Sequence, residues 1–253
     1  MKYFFGTGFA ATAALLLFMY RNAGNIKEKN HVIRLDTATG FKPFRILFIA
    51  DIHRKKLPEA LVSRPVDAVI IGGDLTERGV PLRRTADNLR ILTSAAPVYY
   101  IWGNNDREVG ERNLRKLMKH FGVHVLDNQA MELLGQPNLK VVGIDYFSRG
   151  EAKIEKAFST VGEDDTVLFA SHTPAIFKYL RKDGKADFMM AGHTHGGQIR
   201  LGRFGLYDKG SMKRTDAGYE LVTNGYGTTS LPLRLGAEAE YHVIDVYPNE
   251  KLQ

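Results

Sequence analysis

Five short apolar runs in this chain each end, within three residues, on an Asp, Asn or His. Ile49-Ala50 leads to Asp51 and then His53, Ile71-Gly72-Gly73 to Asp74, and Ile101-Trp102-Gly103 to Asn104, Asn105 and Asp106. Ala170-Ser171 leads to His172, and Met190-Ala191-Gly192 to His193 and His195. Continuous apolar runs of this length suit strands buried on both faces. Further runs at Leu139–Ile144, Glu220–Thr223 and Tyr241–Val246 extend the set. Between the runs, Leu82, Ala86, Leu89 and Leu92 recur on one helical face, as do Leu114, Leu117, Met118 and Phe121. The alternation predicts an α/β domain with a more β-rich, mixed second half. In such sheets the ligand crevice lies at the carboxyl edge of the strands, so the five endings are expected to converge on one site.

The chemistry of the endings narrows what that site holds. In Gly192-His193-Thr194-His195-Gly196-Gly197 the glycines permit the tight backbone that turns both imidazoles toward one point. With no cysteine in the chain, any metal must be held by His, Asp and Asn. Carboxylate, imidazole and amide oxygen suit divalent ions such as Mn, Fe or Zn. Each residue alone has a plainer reading: Asp74 as a turn, Asn104 as a left-handed residue, His172 as a cap before Pro174. Five together, all at strand exits, argue a metal site. His31, His120, His124 and His242 lie outside such exits and read as surface or core residues, and Trp102 as a core anchor beside the site.

At these residues the chain resembles the calcineurin-like metallophosphoesterases, which carry in order Asp-x-His, Gly-Asp, Gly-Asn-His-Asp or Glu, a lone His, and Gly-His-x-His. Here stand Asp51-Ile52-His53, Gly73-Asp74, Gly103-Asn104-Asn105-Asp106, His172 and Gly192-His193-Thr194-His195. The resemblance implies an α/β fold, a four-layer αββα sandwich of two mixed β-sheets flanked by helices. It also implies a dinuclear centre of two divalent ions that activates hydroxide for phosphoester hydrolysis. Carried over, it makes Asp51, His53 and His195 ligands of one ion, Asn104, His172 and His193 ligands of the other, and Asp74 the bridge. Asn105 stands where the family has a His that steadies the transition state or protonates the leaving group; an amide donates a hydrogen bond but is no general acid. Asp106 is expected to orient a ligand His beside the catalytic position, and Glu77 to act as a similar support or as a cap. Arg54, followed by Lys55 and Lys56, is expected either to hold a substrate phosphate or to begin a solvated helix.

A looser likeness in Asn224–Arg234 and Gly196–Leu201 is to the membrane-linked bacterial branch that includes UDP-diacylglucosamine hydrolases. It implies a phosphodiester or pyrophosphate substrate, lipid-linked or nucleotide-linked. A phosphomonoesterase, a nucleotide phosphatase, or a scaffold that has lost catalysis are the alternatives; the complete set of seven ligands speaks against the last.

The run from Tyr3 to Tyr20 is uncharged and about as long as a bilayer span. It lacks a small-residue cleavage site, so it is expected to be an uncleaved transmembrane helix. Lys2 precedes it and Arg21, Lys27, Lys29 and Arg34 follow, which by the positive-inside bias puts the body on the cytoplasmic side. The expected organisation is an anchor over 1–21, a linker and first strand region over 22–44 with Asn22–Asn30 as the polar linker, and the phosphoesterase domain over 45–250. The net charge of +7 suits an anionic partner, but no basic stretch is interleaved with aromatics, which disfavours nucleic acid.

Overall fold

A computed structural model describes residues 2–146 and 151–249 of the chain. Helix α1 (Lys2–Gly24) is followed by β1 (Lys27–Leu35), β2 (Phe44–Ile49), β3 (Ala68–Ile71), α2 (Leu82–Ala95) and β4 (Val98–Tyr100). Then come α3 (Glu111–His120), β5 (His124–Val125), β6 (Gln129–Leu133), β7 (Gln136–Ile144), α4 (Glu151–Phe158) and β8 (Thr166–Ser171). The chain ends through α5 (Phe177–Asp183), β9 (Phe188–Ala191), β10 (Ser211–Thr215), β11 (Gly218–Val222) and β12 (Glu240–Pro248). The strands form two six-stranded sheets, ordered β1-β12-β2-β3-β4-β5 and β10-β11-β9-β8-β7-β6. Both are mixed: β2, β3, β4 and β5 run parallel with β12 antiparallel to β2, while β7, β8, β9 and β11 run parallel between antiparallel β6 and β10.

Strand alternation explains why the runs are apolar throughout. Ile46, Phe48 and Ile70 meet Val141, Leu168 and Met190 between the two sheets. Their sequence neighbours Leu47, Ile49, Val69 and Ile71 face the other way, onto Leu89 and Leu92 of α2 and Leu114 and Met118 of α3. On the far side, Val142, Ile144, Phe169 and Met189 pack against Ile154 of α4 and Phe177 and Leu180 of α5. The layers therefore run helices, sheet, sheet, helices, and each fully buried Leu, Ile or Phe contributes about 1.5–3 kcal/mol.

Three readings of the sequence are corrected here. Asn22–Asn30 is not a linker but the end of α1 and the start of β1, an edge strand parallel to β12. Only Ile33 and Leu35 of β1 reach the core, so its first half shows no apolar signal. Those polar residues are satisfied by lateral contacts: the Tyr241 hydroxyl donates to Glu28 at 2.7 Å, and Arg64 pairs with the same carboxylate. Second, β5, β6 and β10 lie at or beside sheet edges, where half-exposed strands need no continuous apolar run. Third, Arg54–Lys56 begins no helix; it is a turn held by the Lys55 amide on the Ile52 carbonyl at 3.0 Å.

Among the described residues no helix is long and apolar enough to cross a membrane. The side chains of α1 are described only from Ala10 onward, so the expected span Tyr3–Tyr20 lies partly outside them. His31 and His242 stack on one another with centroids 5.2 Å apart, and His120 and His124 lie on the surface, all away from the strand exits. Trp102 is fully buried; it donates to Asp127 at 2.6 Å, and Arg107 and Arg115 cover its ring.

Candidate metal centre

The motif loops leave β2, β3, β4, β8 and β9 at one edge, and there the backbone is bent in an unusual way. Among the described residues nine non-glycine positions adopt positive φ, and five of them are Asp51, His53, Asp74, His193 and His195. Each such residue costs about 1–3 kcal/mol and persists only where the surroundings over-determine it, and such residues gather at functional sites. Two glycines let the loops close on one another. A Cβ on Gly73, itself at φ +89°, would sit 2.5 Å from His172 Nδ1, and one on Gly192 would sit 2.6 Å from the Asp51 carboxylate.

The seven expected ligands come together. His53 Nε2 faces His195 Nε2 at 3.1 Å, with Asp51 Oδ1 3.4 Å from the latter. His172 Nε2 lies 3.2 Å from Asn104 Oδ1 and 3.2 Å from His193 Nδ1. Asp74 Oδ2 stands between the two groups, 3.7 Å from His53 Nε2 and 3.4 Å from His172 Nε2. Asp51, His53 and His195 could grip one ion, and Asp51, Asp74 and His172 converge as closely. Metal bonds of about 2.0–2.2 Å set neighbouring donor atoms roughly 3–3.5 Å apart, and the distances above run from 3.1 to 3.7 Å. Two ring nitrogens approach at 3.1 Å only when a proton or a cation lies between them. The residues therefore fit a divalent metal.

Protonation follows the same crowding. Burial opposes charge on His172, yet the Asp74 carboxylate and, further off, Asp51 lift it to about 9. Burial and the neighbouring His53 and Arg234 charges push His195 well below the usual range for imidazole. Burial raises Asp51, whereas on Asp74 it is overcome by His172, His53 and the Asn105 amide, which hold that carboxylate low. Without a metal the site thus depends on histidine protons to offset its two buried carboxylates.

Supporting residues fix these donors in place. The His172 Nδ1 nitrogen contacts the Gly72 carbonyl at 2.8 Å, leaving Nε2 for the site. Glu77 Oε2 lies 2.8 Å from His53 Nδ1, off the line of a ring N–H but close enough for a charge contact, so its role is support rather than cap. The Arg54 guanidinium pairs with Glu77 and donates to the Arg78 carbonyl, and it is absent from the cavity lining. Asp106 orients no histidine. Fully buried and pushed up to about 6 by burial and the Asp74 charge, it accepts from the backbone amides of Asp74, Thr76 and Gly103 and so locks two loops together. Asn105 lies at the rim, its side chain donating to Asp74 Oδ2 at 2.7 Å and its backbone amide to Oδ1 at 2.9 Å.

The residue that sequence reasoning missed is Arg234. Fully buried, it donates to the carbonyls of His195, Asn224, Gly225, Gly227, Ala237 and Glu238. The loop it holds docks on Asp51, through the Gly227 amide on the Asp51 carbonyl at 2.6 Å. An arginine after Leu231-Pro232-Leu233 reads as surface, and no local pattern reveals a cage of carbonyls drawn from three segments, at 195, 224–227 and 237–238.

The profile of the calcineurin-like phosphoesterases matches residues 44–197, which include all seven donors. The chain belongs to the calcineurin-like phosphoesterases. Among relatives of this phosphoesterase, the uncharacterized protein YpbG of Bacillus subtilis (strain 168) is 36% identical over 240 residues, covering 92% of this chain and 93% of its own length. The uncharacterized metallophosphoesterase YkoQ of the same strain is 27% identical over 252 residues, covering 88% and 92%. Phosphodiesterase YaeI of Escherichia coli (strain K12) is 34% identical over 175 residues, 63% of each chain.

A prediction for this phosphoesterase follows from the His53–Glu77 contact. Glu77→Ala should weaken binding of divalent metal about 10- to 100-fold, the usual cost of losing a group that orients a ligand, while Glu59→Ala on the exposed surface should leave it unchanged. Competition against a chromogenic chelator reads both; equal affinities would remove Glu77 from the site.

Proposed function

We propose that the chain is a metal-dependent phosphodiesterase or pyrophosphatase acting beside a membrane. The observation that carries this reading is the convergence of seven Asp, His and Asn donors beneath a cavity of about 220 Å³ lined by Asn105, Thr194, Gln198, Tyr207 and Thr229. Asp51, His53 and His195 would hold one divalent ion, Asn104, His172 and His193 a second, with Asp74 shared; the donor set suits Mn, Fe or Zn. When bound, such ions supply positive charge to the phosphoryl oxygens and lower the pKa of water.

The chain's own residues define the rest. Water adds to phosphorus and the bond to the leaving oxygen breaks; with Asn105 at the family's acid position, that oxygen departs as an anion or takes its proton from water. The Asn105 amide can donate a hydrogen bond to a phosphoryl oxygen but carries no transferable proton. Asp106 is sealed behind the loops. A groove of about 590 Å³ lined by Tyr146, Pro174, Lys178 and Tyr179 continues from the cavity across His193, Thr194 and Tyr207. It gives room for a second substituent on phosphorus, which favours a diester or pyrophosphate over a monoester, and the relative named phosphodiesterase agrees with this choice. The run Tyr3–Tyr20 would anchor the protein, with the body on the cytoplasmic side.

The test is kcat/KM for aryl phosphodiesters of graded leaving-group pKa, before and after metal removal and reloading. Activity should vanish with the metal and return with it, and should fall steeply as the leaving group worsens. Asn105→His should help poor leaving groups by up to roughly 100-fold, the reach of a positioned acid, at unchanged metal content. A shallow dependence that the substitution leaves alone would show that another residue supplies the proton; no hydrolysis by the metal-loaded protein would end the proposal.

A further inference from the structure

The segment from Ile199 to Tyr207 is inside out. Its arginine, Arg200, is buried and donates to the carbonyls of Gly196, Arg203 and Tyr207, whereas Leu201, Phe204 and Leu206 are 72%, 69% and 82% exposed. Leu201 and Phe204 close a tight turn by exchanging backbone hydrogen bonds at 2.9 and 3.0 Å. The backbone is thus tied down while large apolar side chains are held outward, against the usual partition. Leu206 and Tyr207 also line the cavity over the seven donors, whereas Leu201 and Phe204 adjoin its mouth without lining it.

The face is continuous with α1. Gln198 binds the carbonyls of Thr229 and Leu231 at 3.1 Å each, and Arg200 N donates to the Leu235 carbonyl at 2.7 Å. Arg234 N in turn donates to the Met19 carbonyl at 3.0 Å. The loop, the 229–236 segment and the end of α1 therefore form one hydrogen-bonded body. On α1, Leu15, Leu16, Leu17 and Phe18 are each about half exposed. Four successive residues at 100° steps go nearly round the helix, so it is apolar and uncovered on all faces at this level. A protein partner covers one face of a helix; lipid surrounds it. Exposed Arg21, Lys56, Arg203 and Lys209 lie on or beside these elements and suit anionic headgroups.

We infer that the 199–207 loop inserts into the same bilayer that holds α1 and so opens the site onto the headgroup layer, which makes the substrate a phosphodiester or pyrophosphate carried by a membrane lipid. The substrate part rests on the phosphodiesterase reading, and the insertion rests on the reading of α1 as a membrane anchor.

The test uses the full-length chain in vesicles of phosphatidylcholine with a minor fraction of phosphatidylglycerol, with or without bromine on the acyl chains. The chain's one tryptophan, Trp102, is fully buried and gives a constant background for Phe204→Trp. The added emission should be blue-shifted and lose about half its intensity in brominated lipid, as for an interfacial apolar residue, and less in vesicles without phosphatidylglycerol. Emission typical of water and indifferent to bromine overturns the inference. So does a blue shift without quenching that grows with protein concentration, which would mean a second copy covers the loop. In parallel, Leu201→Ser/Phe204→Ser should slow hydrolysis of a vesicle-borne phosphodiester about ten-fold and leave a soluble aryl phosphodiester unaffected. Equal rates for variant and parent on the vesicle substrate overturn the inference too. If the parent cleaves neither substrate, the phosphodiesterase reading fails while the quenching result still decides the insertion.

Discussion

Asp74→Asn should strip the protein of most of its bound metal and lower phosphoesterase activity by at least about 1,000-fold, since a charge contribution of several kcal/mol is lost from the reacting phosphate. The carboxylate lies between the two groups of donors, within 3.7 Å of both His53 Nε2 and His172 Nε2, so its removal weakens both. The amide is also the wrong shape chemically. Asp74 Oδ1 accepts from the Asn105 backbone and Oδ2 from the Asn105 side chain, so the new NH2 group meets a donor whichever way it is turned. The fold should survive, because the backbone of the Asp74 loop is held independently by Asp106. Elemental analysis after gel filtration, with circular dichroism as the fold control and the exposed His120→Ala as the comparison, reads the effect. Equal metal content and rate in the two variants would remove Asp74 from the centre.

Arg234→Met should cost about 3 kcal/mol of stability, a fall of roughly 6–12 °C in Tm for a chain of this size, and should lower metal affinity as well. The methionine fills similar volume but leaves six carbonyl groups, drawn from three segments, without the donor that gathers them. Two of those segments carry the site: His195 itself, and the 224–227 loop, whose Tyr226 and Gly227 amides donate to the carbonyls of Ala50 and Asp51 at 2.9 and 2.6 Å. Arg234→Lys should recover less than half of the loss, since one ammonium has three protons for six acceptors. Urea unfolding of the detergent-solubilised full-length protein, followed through Trp102 emission, measures both variants. A change below about 0.5 kcal/mol, the range of ordinary surface substitutions, would show that water replaces the guanidinium at no cost.

The amino-acid sequence by itself marked the eight central strands and the two helices α2 and α3, and its resemblance to the family pointed to the seven side chains that the structure brings together. The reason is that each signal is local: a strand buried on both faces must be apolar at every position, and a ligand at a strand exit follows within three residues. The half-exposed edge strands β1, β6 and β10 escaped because a strand with one wet face, or only two core contacts, shows no continuous run. Tertiary structure alone decided how the supports are shared. Arg54 and Asp106 were legible as neighbours of the motifs, but whether they face substrate, a histidine or a backbone amide depends on loops 20 to 30 residues away. The cage around Arg234 and the outward-facing 199–207 loop are likewise invisible locally, because burial of an arginine and exposure of a leucine both invert the usual preference. Only contacts between distant segments can supply the carbonyls that make the first favourable, and only the position of α1 gives the second a surface to meet.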